Sequence, residues 1–223
     1  MEDEGVSAKS RPPPLRVVDL GRRDFAEVWQ LQLDLVAARQ RGEVADTLLL
    51  VEHPEVITLG RRAHAENLLR TGEIPIFEIE RGGDVTYHGP GQLVGYPILQ
   101  LADGERDLHL YLRRLEELLI RTAGDFGVRA GRNPGWTGAW TETTPPRKLA
   151  SIGIAVKRWV TLHGFALNVA TDLARFGTIH PCGLDAAVMT SLSAAVGRPL
   201  TLEEVKPVVA RHAAAVFERA LST

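Results

Sequence analysis

The chain carries one cysteine, Cys182, set between Pro181 and Gly183, and some way before it a lysine, Lys148, that opens the run Lys148-Leu149-Ala150-Ser151-Ile152-Gly153. A free thiol with a pKa of about 8.5 is only about 3% thiolate at neutral pH, so a cysteine nucleophile needs a cation beside it. Lys148 is the candidate. Opposite unit charges about 4 Å apart, at an effective dielectric of about 20, attract by about 4 kcal/mol, which lowers a thiol pKa by up to about three units before desolvation subtracts. Pro181 fixes and Gly183 opens the backbone around the thiol, a setting that suits a presented side chain and an amide offered to an oxyanion. A single cysteine is more often a small buried hydrophobe, and a lysine a solvated charge; the two together give the nucleophilic reading. His180 is a rival activator, ranked lower because one rigid proline separates it from the thiol.

The second feature is Arg81-Gly82-Gly83-Asp84-Val85-Thr86-Tyr87-His88-Gly89-Pro90-Gly91-Gln92, with four glycines and a proline in twelve positions. Such a run either serves a turn in a sheet or lets backbone lie against a ligand. Arg81, Thr86, Tyr87, His88 and Gln92 on so permissive a backbone favour a ligand-facing wall. The spacing Gly89-x-Gly91-x-x-x-Gly95 departs from the dinucleotide fingerprint and runs into a strand, and no phosphate-cradling P-loop sequence is present. His88 and His163 stand alone, without zinc-ligand spacing, so no metal site is expected.

The elements that must position these groups follow from periodicity. Residues 1–14 read as a solvated, proline-bearing tail, with one domain from 15 to 223. Asp24 and Glu27 cap a helix with Val28, Leu31, Leu35 and Ala38 on one face, closed by Gly42. Thr47–Val51 and Val56–Leu59 read as buried strands, Ile76–Glu80 as an alternating strand, and 81–92 as a break in regular pairing. Leu93–Leu101 returns to strand character, and Leu108, Leu112, Leu115 and Leu119 mark an amphipathic helix ending near Gly124. Lys148–Val156 and Trp159–Val169 form a hairpin turning at Lys157-Arg158, and Thr201 with Glu204 caps a last helix. The expected class is α+β: a mixed or largely antiparallel sheet with helices packed on it.

Composition narrows the partners. The 223 residues, 44% hydrophobic with a net charge of −2, suffice for one sizeable core but give no general basic field for nucleic acid. No run approaches the roughly 18 apolar residues of a membrane span. A lone cysteine and a start, Met1–Gly5, without secretory character point to the reducing cytoplasm.

Taken together, the 81–92 segment, Lys148–Gly153, His163-Gly164-Phe165-Ala166-Leu167-Asn168 and Pro181-Cys182-Gly183 resemble the lipoyl (octanoyl) transferase family, over roughly residues 45 to 195. The resemblance implies the biotin/lipoate protein ligase-like, class II synthetase-like α+β fold. It also implies transfer of an octanoyl group from acyl carrier protein to a lysine of lipoyl domains, those of 2-oxoacid dehydrogenases, and of the glycine cleavage H protein. Cys182 would be the acylated nucleophile and Lys148 its activator. Arg81, Gly82, Gly83, Asp84, Val85, Thr86, Tyr87 and His88, with Ser151, Ile152 and Gly153 and with Gly164, Phe165 and Ala166, would line the acyl site. No cofactor is implied. One departure is Gly138-Ala139-Trp140-Thr141, where the family often has an aliphatic residue after the tryptophan. The alternative is an ATP-dependent lipoate-protein ligase, which shares the glycine-rich loop and a lysine but lacks the cysteine motif. A biotin ligase, a non-catalytic acyl-binding protein and a cysteine hydrolase are further readings. Arg61, Arg62, Arg113 and Arg114 are candidates for a basic rim that receives an acidic partner.

Overall fold

The computed structural model describes residues 13–222, the side chain of Cys182 excepted, so the expected tail lies almost wholly outside the described residues. In chain order the elements are β1 (Pro14–Arg22), α1 (Phe25–Gln40), β2 (Asp46–Glu52), β3 (Val56–Leu59), β4 (Ile76–Glu78), β5 (Val85–His88), β6 (Gln92–Ile98) and α2 (Leu108–Asp125). They continue with β7 (Ala130–Asn133), β8 (Trp136–Thr141), β9 (Lys148–Lys157), β10 (Val160–Asn168), α3 (Leu192–Val196), α4 (Leu202–Val216) and β11 (Ala220–Ser222). The described residues build an eight-stranded sheet in the order β11-β1-β2-β6-β10-β9-β8-β7 and a three-stranded sheet β4-β3-β5. Pairing is parallel across β11, β1 and β2 and antiparallel from β2 to β7, the mixed sheet the sequence led us to expect.

Helices cover both faces, which is why the central strands read as continuous apolar runs. On β2, Leu48 and Leu50 face α2 and α4, in a core with Leu93, Leu115, Leu119, Phe165, Leu167, Val205 and Val209. Leu49 and Val51 face α1, with Val28, Val94, Tyr96 and Ala166. Asp24 caps α1 through the Ala26 amide, as its sequence position suggests. The fully buried stripe of α1 is Phe25, Val28, Gln32 and Val36, with Leu31 and Leu35 partly buried against the same core, so a glutamine joins the buried face beside the leucines the periodicity marked. The reason lies across the interface: Gln32 Oε1 accepts the His163 amide at 2.9 Å, a backbone donor that needs a partner once buried.

Three departures from expectation have local causes. Within the glycine-rich run, Val85–His88 pairs with β3 and forms β5, because those four residues are strand formers bounded by the glycines. The β9–β10 turn falls on Arg158 and Trp159, both at positive φ, one residue later than predicted. Neither is the Asn or Gly such a turn usually recruits, so the hairpin was legible but its exact turn residues were not. The β7–β8 hairpin was not foreseen because Pro134-Gly135 joins two short strands rich in glycine and polar residues.

Asp46 ties the chain's two ends to the sheet. Its carboxylate, 2% exposed as a residue, accepts Arg39 Nε and Arg219 Nε, each at 2.8 Å, and the Gln100 amide at 2.9 Å. Removing one partner of such a buried pair strands the other charge. Asp46→Ala is expected to cost about 3 kcal/mol in urea unfolding with little change in the slope of the transition.

Candidate active site

Lys148 is the first residue of β9 and is 2% exposed. It pairs across the sheet with Trp140 on β8, at a register shift that follows Ala139, and its Nζ lies 5.5 Å from the centre of the Trp140 ring. An aromatic face is a favourable neighbour for an ammonium that has lost water. The stem runs past Gly138, at φ 131°, where an added Cβ would overlap the Ala150 carbonyl and stand 3.2 Å from Lys148 Cε. Only glycine suits that position. The Gly138 amide donates to Glu116 Oε1 at 3.3 Å, and the buried Glu116 is held by Arg113 at 2.6 Å and Arg132 at 3.0 Å.

The Pro181–Gly183 segment is a single 3₁₀ turn, pinned at both ends. Upstream, the His180 amide donates to the Asn67 carbonyl at 2.9 Å, and Asn67 Nδ2 donates to Asp84 Oδ2 at 2.5 Å. Asp84 Oδ1 also accepts the amides of His64 and Val85. Downstream, Met189 bridges to Lys148 in parallel and the Thr190 amide donates to the Lys148 carbonyl at 3.0 Å. Strand β9 and the segment after the cysteine turn are therefore backbone-bonded at the lysine itself. The Cys182 thiol lies outside the described residues; its neighbour Gly183 and Lys148 line one cleft, together with Gly82, Gly83, Asp84, Trp136, Ile152 and Gly153. The Gly183 amide is already bonded to the His180 carbonyl, and the Leu184 amide to Pro181, so neither matches the oxyanion role the sequence suggested. His180 is exposed and does not line this cleft, against its role as rival activator.

Gly83, Ile152 and Gly153 also line a second, inner chamber, narrow at about 40 Å³. Its walls are apolar or small: Phe25, Ile79, Val94, Tyr96, Ser151, Gly164, Phe165 and Ala166, with Arg81, Thr86, His88 and His163. Arg81 is 7% exposed, and its guanidinium donates to the Thr58 carbonyl at 2.7 Å and to Thr58 Oγ1 at 3.0 Å. Gly153 makes room for it, since a Cβ there would stand 2.8 Å from Arg81 Cδ.

The family model for the lipoyl protein ligase A/B catalytic domain matches residues 24–214. The chain belongs to this family. Similar curated relatives, named octanoyltransferase, come from Geobacter metallireducens (54% identical over 88% of this chain and 90% of the relative) and Mycobacterium tuberculosis (48%, over 96% and 92%). Among solved structures, a bi-partite lipoate protein ligase from Thermoplasma acidophilum aligns with a TM-score of 0.69 at 15% identity, covering 95% of this chain and 88% of that one. A lipoate-protein ligase A bound with ATP aligns at 0.65 and 14%, covering 95% and 90%. These distant likenesses establish the fold.

Against the family's motifs, the structure divides the 81–88 segment by strand alternation. Thr86 and His88 face the chamber, as do Arg81 and Gly83, while Gly82, Gly83 and Asp84 border the cleft. Val85 and Tyr87 point the other way, into a core with Ile57, Phe176, Ile179 and Met189 that underlies the cysteine turn. The Tyr87 hydroxyl donates to Glu55, which also holds Arg175. Ser151, Ile152, Gly153, Gly164, Phe165 and Ala166 all line the chamber. Phe25, Ile79, Val94 and Tyr96 were missed, since each reads as ordinary core in a helix or strand; the left-handed His163, between β10 neighbours Leu162 and Gly164, had shown only its glycine. Of the four candidate rim arginines, Arg62 borders the cleft and Arg113 the neighbouring groove, whereas Arg114 is engaged with Glu105.

The chamber's imidazoles are kept neutral. Burial pushes His88 down to about 3, with His53 adding repulsion against the hydrogen bond to Gln92. Burial likewise lowers His163, outweighing the pull of Glu80 at 3.4 Å. His88 Nδ1 must donate to Gln92 Oε1 (2.8 Å), because Gln92 Nε2 donates to Asn168 Oδ1 (3.0 Å) and Asn168 Nδ2 to the Thr190 carbonyl (3.0 Å). An imidazole with a depressed folded pKa is protonated first in the unfolded chain, so its stabilisation is present above about pH 6.5 and is lost as pH falls toward 3. Between pH 6.5 and 5 the carboxylates are still ionised, so thermal midpoints should fall there, and His88→Gln should flatten that slope by up to about 1.4 kcal/mol per pH unit.

Proposed function

We propose that this chain is an octanoyltransferase that moves the octanoyl group of acyl carrier protein onto a lysine of lipoyl domains and of the glycine cleavage H protein, through a Cys182 thioester. One observation carries the reading: Lys148 and the cysteine turn open on one cleft, at the mouth of an apolar chamber. The name of relatives 48–54% identical supports octanoyl as the acyl group. Burying about six methylenes, at about 0.8 kcal/mol each, supplies about 5 kcal/mol of binding.

In the first half-reaction the Cys182 thiolate attacks the carrier thioester carbonyl. A carbon–sulfur bond forms, the carrier's sulfur leaves, and it takes the Lys148 proton to depart as a thiol. With the Gly183 amide spent, the backbone amides of Gly83 and Asp84, which border the cleft, receive the oxyanion. Exchange of thioesters needs no ATP. Lys148, now neutral in a dry site, takes a proton from the incoming lysine ammonium, whose amine attacks the acyl-cysteine. The amide forms, the carbon–sulfur bond breaks, Cys182 returns as thiolate beside a charged Lys148, and one proton goes to solvent. The reducing cytoplasm is the compartment this reading requires, because the thiol must stay free.

Mixing the purified protein with octanoyl carrier protein should give an octanoyl adduct mapped to Cys182 by mass spectrometry, without ATP, and Cys182→Ala should give none. An adduct of the same mass on the alanine variant, or turnover that requires ATP and releases pyrophosphate, would replace this reading with another nucleophile or with a ligase. Lys148→Ala should slow thiol alkylation at neutral pH by at least about tenfold. An unchanged alkylation rate would remove the lysine from thiol activation.

A further inference from the structure

We propose that Tyr96, locked by His53, whose ring packs against Phe25, is the stop that sets how long an acyl chain the inner chamber accepts. The inference rests on the acyl-transfer reading above and adds a residue that determines specificity.

The chamber has two distinguishable ends. Gly83, Ile152 and Gly153 belong to both chamber and cleft and so mark its mouth on the Lys148 side. From β9 the chamber crosses β10 to β6, two strand spacings or about 10 Å away, where Val94 and Tyr96 close it. On the sheet face toward α1 the paired lining is small, Ser151 with Ala166 and Gly153 with Gly164, while Ile152 and Phe165 pair on the opposite face and His163 adds its ring from β10. The first large side chain that β6 presents toward α1 beyond these is the Tyr96 ring, 4% exposed.

That ring is fixed. His53 Nδ1 lies 2.8 Å from the Arg23 carbonyl, which can only accept, so Nδ1 carries the proton and Nε2 accepts. Tyr96 Oη, 2.9 Å from Nε2, therefore donates. Phe25 sits edge-on to His53 at 5.4 Å between centroids and stacks on His88 at 6.3 Å, with Phe77 at 5.3 Å behind it. The hydroxyl is thus consumed inside the wall, and an incoming chain end meets only ring carbon. A polar residue at the end of an apolar chamber makes sense on these terms, because an unsatisfied hydroxyl there would repel methylenes and invite water. One methylene in an apolar pocket is worth about tenfold or more in discrimination, so a wall that does not yield is a length gauge.

The test measures formation of the enzyme adduct from hexanoyl, octanoyl, decanoyl and dodecanoyl carrier protein. Tyr96→Ala should raise the dodecanoyl-to-octanoyl ratio of kcat/KM by at least about tenfold, while Tyr96→Phe, which keeps the ring, should leave the preference near that of the wild type. A folded Tyr96→Ala protein, judged by circular dichroism, with an unchanged ratio would overturn the proposal. If Tyr96→Ala does not fold, Val94→Phe decides: a shift toward hexanoyl supports the stop, and an unmoved ratio overturns it. Should the wild type acylate with no chain at all, the transfer reading fails instead. Calorimetric binding of the matching free fatty acids to wild type and Tyr96→Ala then reads the gauge directly, with the same two outcomes.

Discussion

A lysine taken almost wholly out of water is the constraint around which this part of the molecule is arranged. A buried charge is tolerated only where the surroundings compensate it, and the surroundings of Lys148 are drawn from distant parts of the chain. Trp140 supplies a ring face from β8, Gly138 a backbone without a side chain, and Glu116 on α2 the carboxylate that fixes Gly138. The carboxylate in turn needs Arg113 and Arg132, so a helix and a hairpin are committed to one lysine stem. Trp140, just before the departure from the family's usual pattern at Thr141, is the residue that faces the lysine.

The second demand is that polar loops and an apolar chamber share a wall. Arg81, His88 and His163 lie beside space suited to hydrocarbon; Arg81 is bonded to Thr58 and His88 to Gln92, while His163 Nε2 stands 3.4 Å from Glu80. Neutral imidazoles meet this demand better than charged ones, and burial keeps them neutral. The chain of amides from His88 through Gln92 and Asn168 to Thr190 also crosses from the chamber to the Lys148 carbonyl. Chamber and lysine are held in one register by side-chain hydrogen bonds that belong to neither. Asp84 acts similarly on the other side: its carboxylate fixes the 64–67 segment, and through Asn67 the residue before Pro181.

Much of the architecture was legible locally. Asp24, Thr201 and Glu204 announced their helix starts, and the apolar runs of β2, β6 and β10 announced a sheet covered on both faces. The β7–β8 hairpin was illegible, and the β9–β10 turn was legible only to within one residue, because its exact place follows tertiary packing: Trp159 packs on the main core with the Arg106 guanidinium 5.8 Å from its ring. Among site residues, glycine density and lone reactive side chains marked 81–88, 148–153, 163–166 and 181–183. Those signals could not say which way a side chain turns, and Val85 and Tyr87 turned toward the core beneath the cysteine turn.

Residue types and their order settled the chemistry available to this protein: one thiol, one lysine in a glycine-bounded strand, and a loop able to lie against a ligand. Which groups face each other was decided only by folding. Phe25, Ile79, Val94 and Tyr96 carry no chemical signature and become chamber walls because strand order places β6 two positions from β9 and α1 across that face. The cysteine turn reaches Lys148 through backbone bonds at Met189 and Thr190, a long-range pairing that no local pattern encodes. Side-chain identity is a local property, but proximity is set by the packing of elements far apart in the chain, and the site depends on both.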